Sequence, residues 1–259
     1  MVDDQVLAYY EQGGEATRLD GSLELLRTKV LLERLLPDPP ASVLDVGGAF
    51  GVYATWLADR GYDVRLVDPV PLHVDTVTRE GIDAVLGDAR DLAEPDTSRD
   101  VVLLFGPLYH LLDRADRVRA LAEARRVVRP GGLVLAVGIS RWAPIYEGLL
   151  SRAIDIPGFV GMLREAQATG VRPGPFGPGD GFTSAYFHRP DDLAAEVTDS
   201  GLVLDDLYAI EGVAHWMPDI AARLSDPAGR ALILELVAST EREPAVLGAT
   251  SHLLAATHR

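Results

Sequence analysis

Asp45, Gly47, Gly48 and Gly51 stand together in Val43-Leu44-Asp45-Val46-Gly47-Gly48-Ala49-Phe50-Gly51-Val52-Tyr53, an apolar run that enters clustered glycines and then a helix-forming stretch. That order presents a nucleotide-like ligand to the start of a helix at the end of a buried strand. The acid decides which kind of ligand. A carboxylate at the strand end attracts a cation and opposes a pyrophosphate, while the glycines let the backbone come close. A dinucleotide site needs G-x-G-x-x-G, and the spacing fails in both frames: a start at Gly47 meets Ala49 and Val52, and a start at Gly48 meets Phe50 and Tyr53. The pattern suits a ligand with a cationic amino-acid end and no phosphate. The bland alternative is a tight strand-to-helix turn that binds nothing.

Two further acids end the next two apolar runs. Asp68 closes Val64-Arg65-Leu66-Val67-Asp68, where a carboxylate can accept both hydroxyls of a ribose. Asp88, in Gly87-Asp88-Ala89, is placed to bond an adenine amino group. Together with Asp45 these positions fit S-adenosylmethionine. Asp68 alone does not discriminate, because enzymes that use NAD place an acid similarly. Followed by Pro69, it could also cap a helix, and Asp88 could cap a turn.

Only parallel strands would bring these acids to one edge. From Ser42 to about Gly138, short apolar runs (43–46, 64–67, 84–86, 101–104 and 133–137) alternate with helical stretches such as Val52 to Arg60 and Arg114 to Val128. Strands alternating with helices at this spacing indicate a doubly wound parallel sheet, and continuous apolar runs suit strands buried on both faces. Ahead of it, residues 1–40 read as an N-terminal helical cap, with Leu23, Leu26, Val30 and Leu31 at spacings of three and four and a stop at Pro37-Asp38-Pro39-Pro40. Residues 41–259 read as one α/β domain. Its rhythm breaks after Gly138 with an apolar helical stretch, Trp142 to Gly170, and a loop, Val171 to Gly181, that holds three prolines. This insertion, about 139–189, reads as a substrate lid. From Pro190 the pattern resumes with a helix closed by Gly201, a strand Leu202 to Ile210, a helix near Ala228 to Thr240 and a last strand around Ser251 to Ala256.

Charge and composition exclude several partners. The 259 residues carry 24 Lys+Arg against 39 Asp+Glu, a net −15, and Lys29 is the only lysine. No basic stripe is available for a nucleic-acid backbone or an anionic membrane. Cysteine is absent, which removes disulfides, thiolate zinc sites and cysteine nucleophiles. The acidic start Met1-Val2-Asp3-Asp4-Gln5 is unlike a signal peptide and no stretch approaches a membrane span, so the expectation is a soluble cytoplasmic protein. The oligomeric state stays open; an N-terminal helix or lid exchanged between protomers would make a homodimer.

Residues 42–138 resemble the class I S-adenosylmethionine-dependent methyltransferases. The resemblance rests on Asp45 to Gly51, Asp68, Gly87-Asp88-Ala89, Asp100 to Leu111 and the turn Arg129-Pro130-Gly131-Gly132, and it departs at Ala49, where the family usually has glycine. Tyr9-Tyr10 with Leu25-Leu26-Arg27-Thr28, and Phe105 to Leu111, further resemble bacterial members that act on small molecules of the natural-product type. The resemblance implies a Rossmann-like seven-stranded, mostly parallel sheet with helices on both faces and an antiparallel last strand. It also implies cofactor contacts at Tyr10, Arg27, Asp45, Gly47, Gly48, Gly51, Asp68, Pro69, Asp88, Ala89, Arg90 and Phe105. For Arg27 two readings stand side by side, a pair with the methionyl carboxylate or a salt bridge to the acidic surface.

In this family the end of the fourth strand faces the transferable methyl. Here it reads Leu104-Phe105-Gly106-Pro107-Leu108-Tyr109-His110, without the Asn or Asp before Pro-Pro-Tyr of enzymes that methylate exocyclic or amide nitrogens. The carboxylate cluster of magnesium-dependent catechol methyltransferases is not visible either, so no metal is expected. Methyl transfer disperses a sulfonium charge, and a water-poor pocket with in-line positioning supplies much of the rate. An acceptor that bears a proton also needs a base. His110 is the candidate, with Tyr109 to orient it or bond substrate; His188 and His215 are rivals, and each histidine has a plain reading as a capping or packed residue. The later segments supply Arg141, Trp142, Tyr146, Tyr186, His188 and His215 as expected substrate contacts, and the insertion adds Phe159, Met162, Phe176, Phe182 and Phe187. So many rings suit a planar, largely apolar substrate. The expected function is transfer of a methyl group to carbon, oxygen or nitrogen of a small aromatic or heteroaromatic metabolite, such as an indole-like ring, in secondary metabolism. The alternatives are an NAD(P)-dependent oxidoreductase and a non-catalytic S-adenosylmethionine-binding protein.

Overall fold

The computed structural model describes Tyr10, residues 19–174 and residues 183–259. Helix α1 (Leu23–Leu35) starts at Ser22, whose Oγ accepts the Leu25 backbone N–H at 3.1 Å and so satisfies one orphan donor of the first turn. It ends at Leu36, just ahead of Pro37, which cannot continue the backbone ladder. Leu25, Leu31 and Leu32 of α1 are buried with Val43, Leu57, Leu66 and Leu103. Over its described residues, the expected cap is thus one layer of the sheet's own core.

Five strands run parallel: β1 (Ser42–Val46), β2 (Asp63–Asp68), β3 (Asp83–Leu86), β4 (Arg99–Leu104) and β5 (Val128–Ser140), in the order β3-β2-β1-β4-β5. Successive side chains leave opposite faces of a strand. Val43 of β1 and Val101 and Leu103 of β4 accordingly pack with α1, α2 (Val52–Ala58) and α3 (Pro71–Arg79). Leu44, Val46, Val102 and Leu104 pack on the other face with Leu108 of α4 (Pro107–His110) and Leu121 and Ala124 of α5 (Arg114–Val127). Burial on both faces is why these strands read as unbroken apolar runs.

After β5 come α6 (Ala143–Leu150), α7 (Phe159–Thr169), β6 (Val171–Arg172) and β7 (Ala185–His188). β7 lies parallel to the far end of β5, with Ile139 opposite Phe187 and Ser140 opposite His188, and β6 pairs antiparallel with β7. The chain then forms α8 (Pro190–Asp199), β8 (Val203–Ala209), α9 (Ile220–Ser225), α10 (Pro227–Thr240) and α11 (Pro244–Leu247) before the last strand, β9 (His252–His258). β9 pairs antiparallel with both β5 and β8. Among the described residues the sheet has nine strands where seven were expected. Seven follow the order β3-β2-β1-β4-β5-β9-β8, and the extra two are a hairpin inside the insertion, partly where the prolines pointed to loop.

Strand order runs one way from β1 to β3 and the other way from β4 to β5. The carboxyl ends of β1 and β4 therefore part at a switch point, where α/β sheets open a crevice. No helix among the described residues is long and apolar enough to cross a membrane.

Candidate functional site

The turn after β1 is shaped by close approach. Gly47 and Gly51 have φ of 71° and 70°, in the left-handed region that glycine enters without strain. A Cβ on Gly48 would lie 2.6 Å from both Asp45 Oδ2 and Leu66 Cδ1, so only hydrogen fits there. A Cβ on Gly106, after β4, would lie 2.7 Å from the Gly47 carbonyl oxygen, which shows how tightly the two turns meet. Ala49, where the motif departs from glycine, holds the same left-handed conformation with φ of 49°. Its backbone N–H donates to Asp68 Oδ2 at 2.9 Å, tying the first turn to the end of β2.

Those turns floor a cavity of about 450 Å³. Asp45 lines it, and although the side chain is fully buried, neither carboxylate oxygen has a hydrogen-bond partner among the described residues. Burial, and then the charge of Asp68, push the Asp45 carboxyl up to about 7. A buried carboxylate without a partner is costly unless a cation meets it. Asp68 is the opposite case: Oδ1 accepts the Val70 N–H and faces His73 Nδ1, each at 2.9 Å, and Oδ2 takes Ala49. Further along, Asp88 is gripped by Arg90, whose backbone N and Nε reach Oδ1 at 2.9 Å and whose Nη2 reaches Oδ2 at 2.6 Å. These bonds hold the Asp88 carboxyl below its usual range, and Arg90 also binds Asp116 at 2.6 Å.

At the other end of the cavity, Gly106 and Pro107 start the short α4 that carries Tyr109 and His110. The Tyr109 hydroxyl donates to the Phe105 carbonyl at 3.1 Å. Burial, opposed by the charge of Asp68, brings the His110 imidazole down to about 4, so the ring is neutral at pH 7. The Tyr10 hydroxyl lies 2.8 Å from its Nε2, and Thr183 Oγ1 lies 3.4 Å from Nδ1. With the phenol donating, the ring proton sits on Nδ1. Tyr10 also stands edge-on to His73 with centroids 5.4 Å apart. Apolar wall is supplied by Leu19, Phe105, Leu111, Leu112, Val137 and Ile210.

Most of this arrangement falls within a recognisable stretch of sequence, since residues 44–136 match the family model described as a methyltransferase domain. That match spans about a third of the chain. Over 104 residues the chain is 40% identical to an uncharacterized methyltransferase of Mycobacterium tuberculosis, covering 39% of this chain and 41% of that protein. Over 126 residues it is 34% identical to a ubiquinone/menaquinone biosynthesis C-methyltransferase of Acidiphilium cryptum, covering 43% and 49%. The chain thus spans less than half the length of these curated relatives. The solved structure of an S-adenosylmethionine-dependent methyltransferase from Methanosarcina mazei shares the fold, with a TM-score of 0.62 and 16% identity over 88% of this chain and 96% of that one.

In and around the matched segment, the expected cofactor residues divide. Tyr10, Asp45, Gly47, Gly48, Asp68, Pro69, Asp88, Ala89, Arg90 and Phe105 all line the cavity, as do Tyr109 and His110. Gly51 and Arg27 do not. Arg27 is fully buried behind the wall, donating to the Ile210 carbonyl at 3.0 Å and to Glu241 at 2.5 Å, because the nearest carboxylate to its helix face comes from the end of α10. Its partner is an acid of this chain, buried rather than at the surface.

None of the six expected substrate residues lines the cavity. Arg141 is buried and bonded to the Phe187 carbonyl at 2.6 Å, Tyr186 at 3.1 Å and Asp192 at 3.0 Å. Tyr186 lies under the Arg117 guanidinium at 3.4 Å, and His188, fully buried, meets Glu196 at 3.2 Å. Trp216 contacts both Tyr146, at a centroid distance of 5.1 Å, and His215, at 4.6 Å, while Trp142 lies within 5.8 Å of Arg189. The rings hold the insertion together and onto the sheet. Among its described residues, Thr183 contacts the site, through His110. Phe176 and Phe182 lie outside the described residues.

The sequence reading missed His73, Glu24, Thr28, Asp113 and Asp116 on the cavity wall. For His73 there was a signal: it sits five positions after Asp68 and two after Pro71, on the first turn of a helix whose start must face the strand end. A further trio, Glu24, Glu211 and His252, has ligand-capable atoms within 4.8 Å of one another. His252 Nδ1 and Glu211 Oε1 are 2.5 Å apart, and Glu211 Oε2 accepts from Thr250 and the His252 N–H, so Glu211 is satisfied within the chain.

Proposed function

We propose that this protein transfers the methyl group of S-adenosylmethionine to a small aromatic or heteroaromatic metabolite. The observation that carries the reading is Asp45, a buried carboxylate with two unpartnered oxygens at the glycine turn of a methyltransferase domain. A cationic amino-acid end meets that need and a phosphate aggravates it. Among the described residues, the cavity wall holds six carboxylates, those of Glu24, Asp45, Asp68, Asp88, Asp113 and Asp116, against one guanidinium, Arg90, which is already engaged by Asp88 and Asp116. That balance opposes a pyrophosphate-bearing dinucleotide.

When bound, the cofactor supplies an electrophilic methyl on a sulfonium. The chain's own part is to hold, enclose and deprotonate. Asp45 and Asp68 face the cationic and ribosyl ends of the ligand, and Gly48, lacking a Cβ, leaves room for the Asp45 carboxylate at the turn. Phe105, Tyr109 and the Leu111-Leu112 wall exclude water beside the acceptor. Neutral His110 draws off the acceptor's proton by way of the Tyr10 hydroxyl, which passes its own proton to Nε2 and takes the acceptor's in exchange. The aromatic acceptor is supported by this wall and by the quinone-pathway C-methyltransferase among the relatives.

Calorimetry with S-adenosylhomocysteine, followed by a screen of indoles, phenols and aromatic amines with labelled methyl donor, tests the reading. Binding well below about 100 μM and label transfer to an aromatic acceptor are expected. Absence of binding sinks it; binding with no transfer to any acceptor supports the non-catalytic alternative.

A further inference from the structure

Asp68 is close to the limit of what it can accept. Three donors already reach it, from Ala49 and Val70 of the backbone and from His73 Nδ1, each at 2.9 Å. An ionised carboxylate offers about four lone-pair positions, so about one remains, on Oδ2. A ribose brings two neighbouring hydroxyls.

The second acceptor is present on the ring beside it. His73 Nε2 is buried with no hydrogen-bond partner among the described residues, and His73, only 1% exposed, lines the cavity. Because a carboxylate only accepts, the contact with Asp68 places a proton on Nδ1 and leaves Nε2 as the open end of the ring. Phe50 and Tyr10 stand edge-on to that ring at centroid distances of 4.5 Å and 5.4 Å and keep it from turning elsewhere. A buried polar atom left unpaired is unfavourable, and a ligand hydroxyl, which can donate or accept, satisfies Nε2 in either protonation state.

We propose that Asp68 and His73 divide the cofactor's ribose between them, one hydroxyl on Asp68 Oδ2 and the other on His73 Nε2. The proposal rests on the methyltransferase reading above. It makes Asp68 one half of a pair, pinned by the backbone of Ala49 and Val70, and gives His73 a direct binding role.

The test is calorimetry on the full chain with S-adenosylhomocysteine and its 2′-deoxy and 3′-deoxy analogues. His73→Asn keeps an N–H for Asp68 and lacks an atom at Nε2; His73→Phe keeps a ring between Phe50 and Tyr10; His73→Gln places an amide near Nε2. The Asn and Phe variants are expected to lose about tenfold in affinity for S-adenosylhomocysteine, with partial recovery in the Gln variant. For one deoxy analogue the loss shrinks to about twofold or less, which names the hydroxyl held by His73. Equal losses on all three ligands, or none, overturn the proposal and leave His73 a positioning residue for Asp68. Failure of the wild-type chain to bind S-adenosylhomocysteine overturns the methyltransferase reading itself, and the proposal with it.

Discussion

The Tyr10 hydroxyl and His110 Nε2 lie 2.8 Å apart, joining a residue that precedes the first strand to one that follows the fourth. The bond spans one end of the cavity and occupies the lone pair that a base would use. An acceptor that reaches His110 must either displace the phenol or pass its proton through it. Tyr10→Phe and His110→Ala are therefore expected to be coupled: each alone lowers kcat about tenfold or more, and the double variant falls little further. Additive losses would show that the two residues act separately.

Asp45 makes both stability and binding depend on pH. Its folded value, about 7, is above its ordinary value of 3.8, so the folded chain keeps a proton that the unfolded chain releases. Its contribution to stability is full below the unfolded value and is lost as pH rises through 7, a change of about 4 kcal/mol at most. Asp45→Asn should raise the melting temperature at pH 8 and flatten its fall between pH 5 and 8. It should also abolish measurable S-adenosylhomocysteine binding. A melting profile with the same slope in both proteins would contradict this account.

The same difference predicts the pH dependence of cofactor affinity. The ligand's ammonium requires the ionised form of Asp45, so affinity should rise between pH 6 and 8 and level above it, with proton release seen by calorimetry in buffers of different ionisation enthalpy. His110, near 4, is already neutral over this window and adds no limb.

Arg117 anchors the turn after His110. It donates to the Leu111 and Leu112 carbonyls at 2.8 Å and 2.7 Å and grips Glu196 with Nε and Nη2, all in the interior. Arg117→Met takes away the guanidinium and leaves the buried Glu196 carboxylate with His188 Nε2 as its remaining partner, a loss of about 3 kcal/mol. The double variant Arg117→Met with Glu196→Leu should recover part of that loss in denaturant unfolding. No recovery would mean that the carbonyls, rather than the charge, carry the effect.

Ala49 sits at a φ of 49° in a turn that elsewhere uses glycine. Ala49→Gly relieves the strained conformation and adds freedom to the unfolded chain, and the first effect is the larger, with a gain of about 0.5–1 kcal/mol expected. A melting temperature that falls would reverse that ordering.

The sequence by itself determined the elements around the glycine turn and the positions of Asp45, Asp68 and Asp88, because apolar runs, glycines and strand-end acids are local patterns with period and punctuation. It also determined the antiparallel last strand through the family resemblance. What each of those acids has left to offer was decided only by the tertiary structure. Asp45 was buried away from any partner among the described residues, Asp68 was left with about one open position by Ala49, Val70 and His73, and Arg27 met Glu241 more than two hundred residues away. The insertion misled for the same reason. An aromatic-rich stretch has one composition whether its rings wall a cavity or pack each other, and only the pairing of β7 with the end of β5 sent Tyr186 and His188 toward Arg117 and Glu196 instead of toward the cavity. Spacing along a chain records which residues share an element; hydrogen-bond capacity and burial are properties of neighbours brought together from afar.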